Sequence, residues 1–318
     1  HGYTILTDRP CLLIETHMLK PYNVRVDATR KMIEHTFTFL SDNRESYIAI
    51  LHGADQERIS DKFVNSSFPI ALETSMKDST VIDFLGMEFD TIKSSITGGV
   101  YYKYDNKKPV TWKIPLFGKV YVSDSIKLPL AYVIPVQWIE VIERVKLHGI
   151  SVITITDNSE IKVAASKLNN VKFPGTSYEG RFRPDYTILE FDTTVIIPEG
   201  SAIVLVKQPK IKVLVWLLDA ASEDSFLKWG FFNAIFEQKE YGEMYVLEPM
   251  AEKMFAENPA LKAEFEAMKK NDPAFASNQW LQMNWVYNHT VYRDRQYCVY
   301  PVLKITDQKE LKKLLPEK

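Results

Sequence analysis

The sequence lacks the short motifs that mark several large enzyme classes. It contains no G-x-x-x-x-G-K-[ST] loop for phosphates, no G-x-G-x-x-G fingerprint and no G-x-S-x-G nucleophile elbow. The sequence therefore gives no motif evidence for a P-loop nucleotide enzyme, a Rossmann-type dinucleotide enzyme or an α/β serine hydrolase. None of the six histidines begins an H-x-x-E or H-E-x-x-H pair, so no zinc-ligand motif is present either.

Excess charge, cysteine and long apolar runs are also scarce. The formal net charge of -2 over 318 residues gives no electrostatic footprint for nucleic acid. No apolar run approaches the roughly 20 residues that span a bilayer. Cys11 and Cys298 are too few for a disulfide framework or a zinc knuckle, and we expect two structural thiols. The sequence thus predicts no nucleic-acid partner, no membrane span and no metal ligands.

Helical and strand patterns follow one another along the chain, which predicts a mixed α+β fold. After Pro21, apolar and Thr side chains recur at helical spacing through Val26 and Ile33, and a second helical stretch covers 43–63. Segments rich in β-branched and aromatic residues then dominate from residue 68, divided by turn residues. A helix over 136–149, ended by Gly149, is inserted among them.

The last hundred residues are predicted to be mainly helical. Ser222 or Asp224 is a candidate cap for a helix through residue 241, and Asn258 is a candidate cap for another. A late strand is predicted at "YCVYPVLKI". We divide the chain into four parts: a truncated α/β remnant (1–40), a linking helix (41–64), a β-rich, sandwich-like domain with an inserted helix–strand unit (65–215), and a helical C-terminal region (216–318).

The apolar run "CLLI" (11–14) ends in Glu15-Thr16-His17. Its composition and the flanking Pro10 predict a buried strand, on which Glu15 and His17 share one face. A carboxylate at the carboxyl end of such a strand lies where α/β sheets place their active sites. The alternative is a structural Glu15 in an ion pair with Lys20 or Arg25.

The stretch "RPCLLIETHMLKPYNVRVDAT" (9–29) resembles the last part of the catalytic domain of bacterial zinc carboxypeptidases in the carboxypeptidase A superfamily. That branch carries the pattern RP-x-LL-[VI]-ETH-x-LKPY-x-x-RV. The stretches "AYVIPVQWIEVIERVKLHGI" (131–150) and "DSFLKWGFFNAIFEQKEY" (224–241) are also similar to it.

The resemblance implies that the chain is the C-terminal part of a peptide-hydrolysing zinc carboxypeptidase. In that family the zinc ligands, an H-x-x-E pair and a later His, lie upstream of this stretch, so no zinc is expected in this chain itself. Glu15 matches the catalytic glutamate, which takes a proton from the zinc-bound water and gives it to the leaving amine. His17 would be an orienting group on the substrate side. A periplasmic or extracellular location goes with this interpretation.

A different class of function stays open, namely a non-catalytic β-sandwich accessory module that binds protein or glycan. The aromatic side chains of Tyr101, Tyr102, Tyr104 and Trp112 could form such a surface, although alternating strand aromatics more often pack in a core. The aromatic-rich stretch around Trp229 is likewise more typical of a core than of a ligand platform.

Overall fold

The computed structural model describes residues 2–315, and it confirms the mixed α+β class. Contacts along the chain divide it into two compact units, one formed by residues 2–64 with 129–315 and a smaller one formed by 65–128. Of the predicted boundaries, the one between 64 and 65 coincides with a boundary between units. The predicted boundary at 215 falls within the larger unit, because strands on both sides of it join one sheet.

The larger unit begins with four helices. They are α1 (Gly2–Leu6), α2 (Tyr22–Asp42), α3 (Arg44–Arg58) and α4 (Asp61–Val64). Helix α2 follows Pro21, and no residue of α2 is buried. The prediction of a strand at 11–14 is wrong, because these residues have irregular backbone structure and pair with no strand in the described part of the chain. An extended segment needs a neighbouring strand for its backbone groups before it becomes part of a sheet.

A six-stranded antiparallel sheet forms the centre of the larger unit. Its strands, in spatial order, are β6 (Ile153–Thr154), β9 (Ala202–Leu205), β5 (Ala131–Ile134), β10 (Val299–Ile305), β7 (Ser159–Lys172) and β8 (Asp185–Ile197). Along β5, Val133 packs with Leu311 and Leu314 of α11 (Gln308–Leu314) in one apolar cluster. Tyr132, on the opposite face, bonds to the segment that follows α6 (Ile211–Leu218). Helix α11 therefore packs against one face of the sheet, and the segment after α6 contacts the other.

The inserted helix was predicted correctly. A 3-10 turn, Val136–Trp138, leads into α5 (Ile139–Leu147), and Gly149 follows with φ +72°. The left-handed conformation suits glycine because it has no Cβ to clash with the preceding carbonyl.

The C-terminal helices form a second apolar cluster. They are α7 (Met244–Glu257), α8 (Pro259–Asn271), α9 (Pro273–Ser277) and α10 (Gln279–Asn288). The predicted cap of α8 is confirmed, since the side chain of Asn258 accepts from the backbone N–H of Leu261 at 3.1 Å. The prediction of a helix through residue 241 is wrong: turns and a 3-10 helix (Asn233–Phe236) replace it, and Gly230 adopts the left-handed conformation with φ +79°.

The smaller unit contains two separate two-stranded antiparallel sheets. Strand β1 (Ser67–Thr74) pairs with β4 (Val120–Lys127), and β2 (Thr80–Lys93) pairs with β3 (Val100–Leu116). The β-rich texture predicted from residue 68 is therefore confirmed in this unit.

Candidate functional site

Glu15 and His17 lie in the irregular segment between α1 and α2, and both are exposed. The N–H of Leu19 donates to Nδ1 of His17 at 3.1 Å, and the N–H of Lys20 donates to the His17 carbonyl oxygen at 3.1 Å. In the neutral ring the proton therefore resides on Nε2, which leaves an N–H donor available. Within the described residues no hydrogen bond joins Glu15 to His17.

An ion-pair network holds the beginning of this segment. Arg9 donates to Oδ2 of Asp55 at 2.9 Å, and Arg58 donates to Oδ2 of Asp8 at 3.0 Å and to the carbonyl oxygen of Thr7 at 2.6 Å. Asp8 also pairs with Lys212 of α6. The hydrogen bond from Arg9 keeps the pKa of the Asp55 carboxyl below its ordinary value. Residues 7–9 are thus tied to α3 and α6, and this fixes where the segment carrying Glu15 starts.

The apolar side chains next to Glu15 are not covered. Leu12 and Leu13 are 53% and 57% exposed. Exposed apolar residues continue on α2, where they include Tyr22, Val26, Ile33, Phe37 and Phe39. A shallow groove runs between Thr16 and this helix, and its lining includes Val26 and Ile33. Apolar side chains of both the segment and α2 are therefore open to solvent.

The ion pair considered as the alternative for Glu15 is not present. Within residues 2–315 neither Lys20 nor Arg25 pairs with Glu15, and the guanidinium of Arg25 lies over the ring of Tyr22 at 5.6 Å. The carboxylate of Glu15 is therefore unpaired and open to solvent.

A buried polar cluster was missed from the sequence. Asp219 accepts a hydrogen bond from Oη of Tyr132 at 2.8 Å, and its Oδ2 lies 3.0 Å from Nζ of Lys304. Lys304 also donates to Glu190 at 2.6 Å, and the backbone N–H of Ala221 donates to the other oxygen of Asp219 at 3.0 Å. Each oxygen of Asp219 thus has a partner. The cluster therefore has a structural role, in which it connects the sheet to the segment after α6. No sequence pattern links these positions, because they lie far apart along the chain.

Burial and neighbouring charge shift the pKa values in this cluster. Burial raises the pKa of the Tyr132 phenol well above its ordinary value, and the adjacent Asp219 carboxylate adds to the rise. Burial by itself lowers the pKa of Lys304. The Asp219 and Glu190 carboxylates outweigh that effect, so the pKa of Lys304 is raised and the side chain is a cation.

The aromatic stretch 226–236 is only partly a core. Phe232 is fully buried, whereas Trp229 is half-buried with the guanidinium of Arg183 over its ring at 5.0 Å. Of the two cysteines expected to be structural, Cys298 is buried and Cys11 is exposed.

Aromatic side chains also cover one face of the β2–β3 sheet. Phe84 and Trp112 lie directly opposite each other with ring planes 10° apart, and the rings of Tyr102, Tyr104 and Trp112 all contact Phe89. All five side chains are exposed or half-buried. We call these five residues the aromatic face.

The described residues do not form a metal centre or a membrane span. No group of three or more His, Cys, Asp or Glu side chains among them is arranged to hold a metal ion. No helix in 2–315 combines the length and the apolarity that crossing a bilayer requires. In comparisons with known proteins, no family model matches the chain, and neither a curated protein nor a solved structure gives a significant match.

Proposed function

We propose that this chain is the C-terminal part of a zinc-dependent metallopeptidase of the carboxypeptidase type, in which Glu15 transfers protons during peptide-bond hydrolysis. One observation carries the proposal: the unpaired, exposed carboxylate of Glu15 ends an apolar run that is itself uncovered. The structural alternative paired Glu15 with Lys20 or Arg25, and neither pair is present among the described residues. A carboxylate that serves a reaction must instead be open toward the substrate.

The proposed role of Glu15 uses ordinary carboxylate chemistry. A carboxylate within hydrogen-bond reach of the attacking water accepts its proton, and the resulting acid donates a proton to the leaving amine. His17 would present its Nε2–H beside the same site and orient substrate or Glu15. The exposed apolar surface of residues 12–13 and α2 would be covered by the remainder of the catalytic domain.

The residues described here do not fit a zinc site, because no set of ligands is assembled among them. Under this proposal the metal belongs to the part of the catalytic domain that covers Glu15. The proposal includes a peptide substrate. It also includes a periplasmic or extracellular location, and cell fractionation would test that location.

The test is Glu15→Gln in the complete peptidase, with release of C-terminal residues from peptides as the assay. Glutamine keeps the shape and removes the base, so kcat should fall by about 10²–10⁴-fold while metal content stays the same. Glu264→Gln, an exposed position on α8, is the matched control and should leave kcat unchanged. A near-normal kcat for Glu15→Gln would refute the catalytic role.

The aromatic face favours a second candidate, an accessory module that binds protein or glycan. Exposed aromatic side chains supply large contact areas at interfaces. The discriminating variant is Trp112→Ala, which should abolish binding to immobilised glycans or proteins and spare peptide hydrolysis. Tyr121→Ala, at an exposed tyrosine of β4 in the same unit, is its control.

A further inference from the structure

One edge of the six-stranded sheet is a long strand with a neighbour on one side only. β8 (Asp185–Ile197) is the last strand in spatial order, and its strand partner is β7. Its register with β7 is unbroken from Thr187 to Ile197. Among the described residues, no backbone hydrogen bond joins β8 to any element other than β7. Every second residue of this stretch therefore presents its N–H and C=O groups outward without a backbone partner.

This edge lacks several devices that protect sheet edges. β8 contains no Lys, Arg or Pro, and no bulge interrupts 187–197. The edge at the other end of the sheet is β6, which is only two residues long. Native proteins use short strands, bulges, proline or lysine at their edges, because an open edge pairs with other chains. The edge of β8 thus has the length and the free backbone groups that bind an extended strand.

The side chains along this edge differ between the two faces of the sheet. Leu189 and Phe191 share one face and are 58% and 38% exposed. Glu190 and Asp192 share the other face, and each pairs with a lysine through one oxygen, at 2.6 Å and 2.9 Å. Both carboxylates are more than half exposed, and their other oxygens have no partner among the described residues. The edge is therefore apolar on one face and acidic on the other.

The two carboxylates oppose pairing of β8 with a second copy of itself. A two-fold antiparallel pairing over the whole strand is centred on Phe191, and it places Glu190 of each copy opposite Asp192 of the other. Like charges directly opposite each other destabilise a sheet. A strand with cations on one face and apolar side chains on the other would instead meet complementary groups on both faces.

We propose that the open edge of β8 binds an extended segment of a partner protein in which Lys or Arg alternates with apolar residues. Hydrogen bonds to the outward N–H and C=O groups supply affinity, and the alternating side chains supply specificity. The cations of the segment lie beside Glu190 and Asp192, and its apolar side chains lie beside Leu189 and Phe191. This interaction is independent of the peptidase proposal, because it uses neither Glu15 nor His17.

The experiment is calorimetric titration of the full chain with an end-blocked octapeptide of alternating Lys and Val. The comparison peptide repeats Lys-Lys-Val-Val, which keeps the composition and the charge and removes the alternation. Saturable binding of the alternating peptide is expected, and the comparison peptide should bind about fivefold more weakly or less tightly still. Leu189→Lys places a cation on the apolar face and should weaken binding to a similar extent. Leu147→Lys makes the same change at an exposed position of α5 and should bind as the unmodified chain does.

Hydrogen exchange provides the second readout. Strand pairing should slow the exchange of the outward amides in 187–197 when the alternating peptide is bound, and the amides of α5 should be unaffected. Equal affinity for the two peptides, equal affinity of the two variants, no saturable binding or unchanged exchange in β8 would overturn the proposal. A dimer of the chain alone that Leu189→Lys dissociates, measured by light scattering, would overturn it as well, since the edge would then bind a second copy.

Discussion

The ammonium of Lys304 lies 3.0 Å from Oδ2 of Asp219, a side chain with no exposed surface. Lys304 belongs to β10, and Asp219 follows α6, so the pair joins the sheet to the helix that covers it. The neighbouring Tyr300 of β10 donates to the carbonyl oxygen of Leu218 at 2.8 Å and strengthens the same junction.

Lys304→Met should destabilise the chain strongly. The substitution leaves the Asp219 carboxylate buried without its cation, and breaking a buried pair in this way costs about 3–5 kcal/mol. Chemical denaturation would measure the loss. Lys253→Met, at an exposed pair with Glu257, should change stability by less than about 0.5 kcal/mol. Similar small losses for both variants would contradict the assignment.

The chain should lose stability at alkaline pH. The pKa values of Lys304 and Tyr132 are raised in the fold above their ordinary values of 10.5 and 10.0. Their contribution is complete below those values. It decreases as pH rises above them, because the unfolded chain then releases protons that the folded chain retains. Each group contributes a slope of up to about 1.4 kcal/mol per pH unit.

Denaturation series at increasing pH would measure this slope. Tyr132→Phe should remove the contribution of one group to this slope, and Tyr245→Phe, at an exposed tyrosine, is the matched control. A free energy of unfolding that stays constant from pH 9 to above the ordinary tyrosine pKa would contradict the predicted loss of stability.

Trp229→Ala should cost less stability than Phe232→Ala. Phe232 is fully buried, packed against Trp138 and Tyr300, so its loss should cost about 3–5 kcal/mol. Trp229 is half-buried, and its truncation removes partly exposed contacts with Arg183, Tyr178 and Asp224. The two variants can be compared in one denaturation experiment, and the reverse order would show that Trp229 belongs to the core.

Gly86→Ala should disturb the aromatic face. A Cβ at Gly86 would lie 2.3 Å from the indole of Trp112, so the ring would have to move. The expected result is a change in tryptophan fluorescence and weaker packing of Phe84 and Phe89. Gly118→Ala, where the nearest atom would be 4.0 Å from the new Cβ, should leave the spectrum unchanged. Identical spectra for both variants would place Trp112 elsewhere.

Local signals in the sequence predicted much of the fold. Pro21 and the helical spacing of Val26 and Ile33 marked α2, Gly149 marked the end after α5, and Asn258 with Pro259 marked the start of α8. Each of these features acts within one turn of the chain, so a short window contains the physical cause.

Features that depend on distant partners were not predictable in this way. The apolar run 11–14 has strand composition, but no neighbouring strand among the described residues receives it. The stretch after Asp224 has helical spacing, yet Gly230 has a positive φ, Phe226 packs on Phe231, and Phe232 packs on the distant Tyr300. The Asp219 cluster combines residues from β5, β8 and β10, which no local pattern connects. For the candidate site, the sequence indicated Glu15. Only the structure shows that its carboxylate is exposed and has no ion-pair partner among the described residues.

The central position of β10 has a consequence for the nascent chain. β5 and β7 leave the ribosome long before Val299–Ile305, the strand that lies between them. At synthesis rates of about 5–20 residues per second, two strand edges stay unpaired for several seconds. During that interval the unfinished sheet is a template for wrong pairing with other chains.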